Sequence, residues 1–418
     1  MTSVQSRRQP LSGNKGLKAL LLVAALAVGC SPKTRVMNPP TEQRPAKTIT
    51  KPVEKPRQEP VTREATASVI SMLLPLKLEE LSGGYSAADL KQANMGIDYY
   101  QGFKLALDSL TAEGYNFRLQ LFDSKDQAAE ARNLSLNPKV RNSDLIVGPI
   151  FPDGIKAFSE TAIGKKKMLL SPLSPAAPNQ FHNPMLITAT PPLDYHAKRA
   201  ARYVAERLKP KKVFILKSGF SEDNKYITPF KHELDSLSRL KIKVVPFTVV
   251  RGNLQPLLAQ LSKTEENVFI IPAVKQAFLG VTLRSLDAVA KTYPVTVIGH
   301  PNWENMSFLK ADLLQRLKTV ITSTEHVNYK LGSTVTFVRA YRKAYHIDPS
   351  LYAIKGFDEG YFFGHLIAES NGAQIKPELI NYDGIHNDFH FVKQPGIGWI
   401  NAHVSVLKYS NFELKVIE

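Results

Sequence analysis

From Ser68 onward, apolar runs of strand length alternate with segments of helical period, and after about residue 195 the alternation begins again. Strands that alternate with helices at this spacing predict a parallel, doubly wound sheet, because each helix returns the chain to the same sheet edge. In the first series Ser68–Leu74, Phe117–Phe122, Leu145–Val147 and Met168–Leu170 read as strands. Gly96–Leu110, Asp126–Leu136 and Lys156–Ile163 read as the intervening helices, with Ser124 as an N-cap. In the second, the predicted strands are Val213–Leu216, Lys243–Val250, Val268–Ile271 and Val295–Ile298. The helices between them are Tyr195–Leu208, Phe230–Leu240, Leu254–Leu261 and Leu279–Ala290. Two further helices, Thr334–Tyr345 and Phe357–Glu369, precede Phe389–Val392 and Val404–Lys408, which are expected as closing antiparallel strands. The predicted fold is therefore α/β and two-lobed, each lobe a doubly wound, mostly parallel sheet flanked by helices, with a cleft between them. Lobe 1 is expected to hold residues 68–192 plus about 326–385. Lobe 2 is expected to hold 193–325 plus about 386–418.

The first 67 residues obey different chemistry. Arg7, Arg8, Lys15 and Lys18 precede a ten-residue apolar run, Ala19–Val28, too short to span a bilayer as a helix. Ala27-Val28-Gly29-Cys30 then resembles a lipobox, so residues 1–29 are expected to be a lipoprotein signal peptide and Cys30 the lipidated residue. Ala27 departs from the Leu most often found there. Ser31 is non-acidic, which in a Gram-negative envelope implies transfer to the outer membrane, facing the periplasm. Two or three acyl chains would anchor a protein stably. Cys30 is the single cysteine, so the chain can form no internal disulfide. Residues 31–66 carry seven prolines, no aromatic residue and few aliphatic ones, a composition that predicts an extended, disordered tether with Cys30 at its start. In polyproline form it would reach on the order of 100 Å.

The net charge of +17 divides unevenly. The first 29 residues hold four bases and no acid, and residues 31–66 hold eight bases against four glutamates, leaving +9 beyond them. Those bases are scattered along the helix and strand pattern, and no nucleic-acid motif accompanies them, so nucleic acid is not an expected partner.

Several local phrases, in order, resemble the type I periplasmic binding proteins of the Leu/Ile/Val kind. They are Leu73-Leu-Pro-Leu76, Tyr100-Gln-Gly102, Phe122-Asp-Ser124, Ile146-Val-Gly-Pro149, Leu169-Leu-Ser-Pro172, Thr188-Ala-Thr-Pro-Pro192 and Tyr352-Ala with Gly356-Phe-Asp358. The Leu-Leu-Pro-Leu start, together with an anchor and a tether, is also similar to the lipoprotein activators of penicillin-binding proteins. The resemblance implies a ligand cleft at the carboxyl ends of the strands, as open parallel sheets generally provide. Its expected lining is Asp123, Phe151, Ser171 and Ser174 from the first lobe, and Ser218, Tyr226, His300, Trp303 and Glu325 from the second. In amino-acid-binding members a Ser after the Gly-Pro loop and a Ser/Thr in the next loop hold the α-carboxylate, and an acid from the second lobe holds the ammonium. Here that loop reads Gly148-Pro-Ile-Phe-Pro-Asp153. Pro152 offers neither hydroxyl nor amide donor, and Asp153 would repel a carboxylate. Ser171 and Ser174 remain for the next loop, and Glu325 for the ammonium.

Other chemistry is less supported. His386, Asp388 and His390 would share one face of a strand, a pattern that fits a solvated face or a partial metal site. Asp123 suits a general base or a helix-entry role, Tyr226 a ligand stack or core packing, and Gly83-Gly84 a flexible lip or an ordinary loop. No nucleophile–base set, zinc-protease motif or phosphate-cradling glycine loop is present, so no enzyme, cofactor or metal is expected. The resulting expectation is a membrane-anchored envelope protein that closes two lobes on a small polar, amino-acid-like or peptide-like ligand, with an ABC permease as its partner. The alternative is a regulator of peptidoglycan synthesis acting through contact with a penicillin-binding protein.

Overall fold

A computed structural model describes residues 67–79, 84 and 86–418. The signal, Cys30, the tether and Gly83 lie outside the described residues. The first series of strands is β1 (Ser68–Leu74), β2 (Phe117–Asp123), β3 (Leu145–Val147), β4 (Leu169–Ser171) and β5 (Leu186–Thr188). The second is β6 (Lys212–Lys217), β7 (Lys243–Thr248), β8 (Asn267–Ile271), β9 (Val295–Gly299) and β10 (Val320–Ser323). The chain closes with β11 (Phe391–Gln394), β12 (Gly398–Asn401), β13 (Ser405–Ser410) and β14 (Glu413–Val416).

These strands form two seven-stranded sheets, ordered β11-β12-β5-β4-β3-β1-β2 and β14-β13-β10-β9-β8-β6-β7. Both lobes share a block of five parallel strands extended by a late hairpin, which joins parallel through β12 in lobe 1 and antiparallel through β13 in lobe 2. The central strands are apolar throughout: every residue of β8 and β9 is buried, as strands covered on both faces require. Edge strands β2 and β7 are partly exposed along their length. This is the two-lobed α/β fold of the type I periplasmic binding proteins.

Alternation along the strands sends side chains into separate apolar layers. In lobe 1, Ile70, Met72 and Leu74 face helices Ala87–Ala112 and Leu351–Glu369. Leu73, Ile146 and Leu169 face helices Ala128–Leu136 and Pro152–Ser159. In lobe 2, Val213, Ile215 and Val268 pack against helices Leu193–Tyr203 and Asn224–Ser238. Phe214, Leu216 and Phe269 pack with helix Gln276–Val289 on the other face. The buried apolar clusters draw their members from Ile70 to Tyr409, so this body carries its own cores and is a self-sufficient folding unit.

Three segments join the lobes: 189–192 after β5, 324–331 after β10, and 402–404 between β12 and β13. The last crossing lies later than the sequence suggested. β11 and β12 complete the sheet of lobe 1, so the boundary expected near residue 386 falls after Asn401. The cause is packing: Phe389, Phe391 and Trp399 enter the lobe 1 core, where Phe391 stacks on Phe362 at 5.7 Å between ring centres. β12 also runs parallel to β5, so only its partner β11 is an antiparallel addition there. Two local expectations differ as well. Gln127, not Ser124, occupies the N-cap position of helix Ala128–Leu136, without a side-chain cap bond, while Ser124 is buried and its N–H donates to the Leu74 carbonyl at 2.8 Å. The predicted Leu254–Leu261 helix shrinks to one turn, Gln255–Leu258.

Candidate functional site

A cleft of about 450 Å³ opens between the lobes at the carboxyl ends of the strands. Lobe 2 supplies most of its wall: Ser218 and Phe220 after β6, Pro272, Val274 and Lys275 after β8, His300, Asn302 and Glu304 after β9, and Ser323–Glu325 after β10. His196, from the first turns of helix Leu193–Tyr203, completes it. Lobe 1 and the first connection contribute only Leu173, Pro175, Thr190 and Pro191, and the Thr190 hydroxyl is spent on the Pro172 carbonyl at 3.0 Å. Past Pro175, Leu193 and Lys225 the cleft leads into a second groove of about 720 Å³, bordered by Tyr195, Gln394 and Ile397.

Of the nine residues expected to line a ligand site, three reach the cleft: Ser218, His300 and Glu325. Each is already engaged. The Ser218 N–H and hydroxyl both donate to Asp223 Oδ2, at 2.6 and 2.8 Å, which pins the loop after β6. His300 Nδ1 accepts the Asn302 N–H at 3.1 Å, leaving Nε2 to carry the proton. Glu325 receives the ammonium of Lys355, a buried residue on helix Leu351–Glu369 of lobe 1. Burial alone would raise the Glu325 pKa, but Lys355, with help from His386 and His196, outweighs it and holds the carboxyl below its ordinary value.

The other six lie elsewhere. Asp123 is a loop clamp: its carboxylate accepts N–H groups from Leu76, Lys77, Leu78 and Lys125 at 2.8–3.1 Å, so no oxygen is set aside for a general base. Phe151 precedes helix Pro152–Ser159 and packs on the lobe 1 core. Ser171 is buried at the end of β4, and Ser174 Oγ accepts the Ala176 N–H at 3.3 Å. Trp303 is buried beneath the cleft floor, its indole N–H donating to the Ala273 carbonyl at 2.9 Å. Tyr226 is buried too, stacked on Phe230 and tilted against His300 at 5.7 Å, and its hydroxyl has no partner among the described residues.

Burial also sets the protonation of the cleft histidines. It depresses His300 to about 4, and burial together with the neighbouring His300 depresses His196 to about 3, so both are neutral at pH 7. Lys275 lies over the Phe220 ring at 3.1 Å from its centre, a cation–π contact at the cleft mouth. The loop Lys217–Phe220 was expected at the cleft, and Phe220 does line it, but the sequence did not point to His196, Asp223, Lys275 or Glu304. His196 sits within an amphipathic helix, where the periodic signal for core packing hides a cleft residue.

The His386–His390 segment does not present one strand face. His386 turns inward onto the buried Asp358 carboxylate at 2.5 Å, whereas the His390 ring packs edge-on against His403. Among the described residues no cluster of His, Cys, Asp or Glu is arranged for a metal ion.

Comparison with known proteins returns the fold. No protein-family model matches the chain, and neither does any curated protein. Solved structures do. A protein from Rhodospirillum rubrum described as a branched-chain amino acid ABC transporter is 15% identical, with a TM-score of 0.62 over 84% of this chain and 100% of its own. An ABC transporter substrate-binding protein from Desulfitobacterium hafniense, solved in complex with Leu, is 15% identical with a TM-score of 0.54 over the same shares. Full-length LpoA from Haemophilus influenzae is 12% identical, with a TM-score of 0.57 over 84% of this chain and 59% of its own.

Proposed function

We propose that this chain is a lipid-anchored envelope binding protein, held through Cys30 on the periplasmic face of the outer membrane, whose two lobes close on a small polar ligand. The supporting observation is the cleft itself: about 450 Å³, at the carboxyl ends of the strands, with its polar side chains concentrated on the lobe 2 wall among apolar ones. Closure would bend the three connecting segments and shift a pre-existing open–closed equilibrium. The ligand is amino-acid-like or peptide-like, with its polar end toward lobe 2. Two features argue against a free α-amino acid. Glu325 already holds an ammonium, that of Lys355, and lobe 1 offers the cleft no unspent hydroxyl. The adjoining groove gives room for a longer, peptide-like compound.

The same Lys355–Glu325 pair supports a second reading, a regulator of peptidoglycan synthesis that touches a penicillin-binding protein and binds nothing in the cleft. Thermal melting of residues 67–418 against amino acids, short peptides and muropeptides separates the two. A ligand at 100 times its Kd adds about 2.7 kcal/mol of stability and raises the melting temperature. No shift with any compound, together with co-purification of a cell-wall synthase, would establish the regulator instead. The anchor is tested separately: Cys30→Ser should move the full chain from the membrane fraction to the soluble periplasm, and retention in the membrane would sink that part of the reading.

A further inference from the structure

At the pole of lobe 1 remote from the cleft, where β1, β3 and β4 begin, basic side chains gather on one face. Lys165, Lys166 and Lys167 precede β4, Lys139 and Arg141 precede β3, and Arg132 lies at the middle of helix Ala128–Leu136. Two shallow hollows in this surface share Lys166, so the patch is continuous. Two carboxylates stand among them: Glu160, paired with Arg132 at 3.3 Å, offsets that base, and Asp144, which accepts the Val69 N–H at 2.8 Å, keeps its charge, so the patch stays positive through the remaining lysines and Arg141. The acids Glu113 and Glu369 of the same pole belong to the helices on the other face of the sheet, where Tyr361 and Tyr115 donate to them. Among the described residues no ion pair offsets Lys139, Arg141 or the three consecutive lysines. Amid these bases stands Leu136, an apolar side chain 71% exposed.

The path of the chain says which way this pole looks. β1 lies beside β3 here, the Asp144 N–H donating to the Val69 carbonyl at 2.8 Å, so everything N-terminal to residue 67 joins the body at this pole. We propose that the basic pole of lobe 1 docks on an anionic phospholipid surface, the lysines at the headgroups and Leu136 inserted between them. Charge complementarity supports it, since each base near such a surface contributes attraction. So does tethering: with Cys30 acylated, a lipid surface is held at high effective concentration beside this pole. The cleft then faces away from the membrane. The geometry rests on the anchor proposed above, but the docking does not depend on what the cleft binds.

The test is co-sedimentation of residues 67–418, which lack Cys30 and any acyl chain, with vesicles of equal parts phosphatidylglycerol and phosphatidylcholine. Binding is expected to these and not to pure phosphatidylcholine, and to weaken as salt rises from about 50 to 300 mM. Loss of each base should cost about fivefold, so the triple variant K165E/K166E/K167E should bind on the order of 100-fold less or weaker still. Reversal of the exposed lobe 2 lysines Lys209, Lys241 and Lys291 changes net charge equally and should leave binding near wild type. Equal melting temperatures would confirm that the variants fold. Absence of binding to anionic vesicles, equal binding to neutral ones, or indifference to the triple reversal overturns the proposal. Charge-dependent binding to a purified anionic wall polymer without vesicle binding overturns it too, in favour of that polymer. Because the tested body carries no anchor, failure here leaves the Cys30 and cleft readings to their own experiments.

Discussion

Lys355 of lobe 1 holds Glu325, the second residue of the connecting segment that follows β10. From there the contacts continue into lobe 2: the Glu325 N–H donates to Ser323 Oγ at 3.1 Å, Ser323 donates to Glu304 at 2.5 Å, and Glu304 also meets His326 at 3.0 Å. One unbroken polar chain therefore runs from a lobe 1 helix, through a connection that must bend if the lobes close, to the cleft wall of lobe 2.

Removing the cation should destabilise the protein more than removing both partners. A Lys355→Met variant leaves the half-buried Glu325 without its cation. The expected loss is roughly 2–3 kcal/mol, below the roughly 3–5 kcal/mol of fully enclosed pairs because the carboxylate keeps some solvent contact. Adding Glu325→Gln should recover most of it, since an unpaired charge no longer remains. The sign with pH follows from the lowered carboxyl. Its stabilisation is full above the ordinary value of 4.5 and is lost as pH falls through the lower folded value, so Glu325→Gln alone should flatten the acid limb. Urea unfolding at neutral pH and across the acid range measures both effects.

The cleft histidines predict a separate pH dependence, at higher pH. His300 and His196 titrate at about 4 and about 3 in the folded protein, against 6.5 when exposed. Between those values the unfolded chain binds more protons, so stability is full above pH 6.5 and falls as acid is added. Each imidazole contributes about 1.4 kcal/mol per pH unit in that window. His300→Asn should remove one share, seen as a shallower slope of melting temperature against pH between 6.5 and 4. An unchanged slope would mean that this ring is not held neutral by burial.

The architecture was legible because its signal is spread over many residues: nearly every long apolar run became a strand, and the restart near residue 195 became the second lobe. Two short strands escaped notice, β5 at three residues and β10 at four; runs this short show no period, and the equally short β3 and β4 were legible only through the helix-strand alternation around them. β12 was missed for another reason. Its Gly398-Trp-Ile-Asn401 sequence resembles a turn until Phe362 and Phe389 provide a core to enter. The site was legible only in outline. Strand ends can be located from sequence, but which side of a loop faces the cleft depends on hydrogen bonds such as Ser218 to Asp223, and no periodicity encodes those.

Tyr226 illustrates the difference. A ligand-stacking tyrosine presents its ring to the cleft, whereas this ring is buried against Phe230 and its hydroxyl, buried without a partner among the described residues, costs free energy as it stands. Tyr226→Phe is therefore expected to be neutral or to stabilise the body by up to about 1 kcal/mol, with unchanged response to any compound that shifts the wild-type melt. A loss of stability or of that response would place the hydroxyl in a contact the present packing lacks.

The position of Lys355 itself depends on two glycines. Helices Ala87–Ala112 and Leu351–Glu369 touch backbone to backbone: a Cβ on Gly102 would stand 1.8 Å from the Ala353 carbonyl oxygen, and one on Gly356 would stand 2.1 Å from that of Tyr99. Neither obstacle can rotate aside, so alanine at either position must push the helices apart. Overpacking of this kind typically costs about 1–3 kcal/mol, and backbone contact places Gly102→Ala and Gly356→Ala at or above the upper end. Gly332, where an added Cβ meets nothing within 4 Å, is the internal comparison; as the first residue of its helix it should change stability by less than about 0.5 kcal/mol on becoming alanine. The two sites differ in a second respect. Lys355 adjoins Gly356, so displacing that helix also draws the ammonium from Glu325. Gly356→Ala should therefore abolish most of the further loss caused by Lys355→Met, a non-additivity that a double-mutant cycle in urea would read directly. Fully additive losses would show that the ion pair follows the helix when it moves.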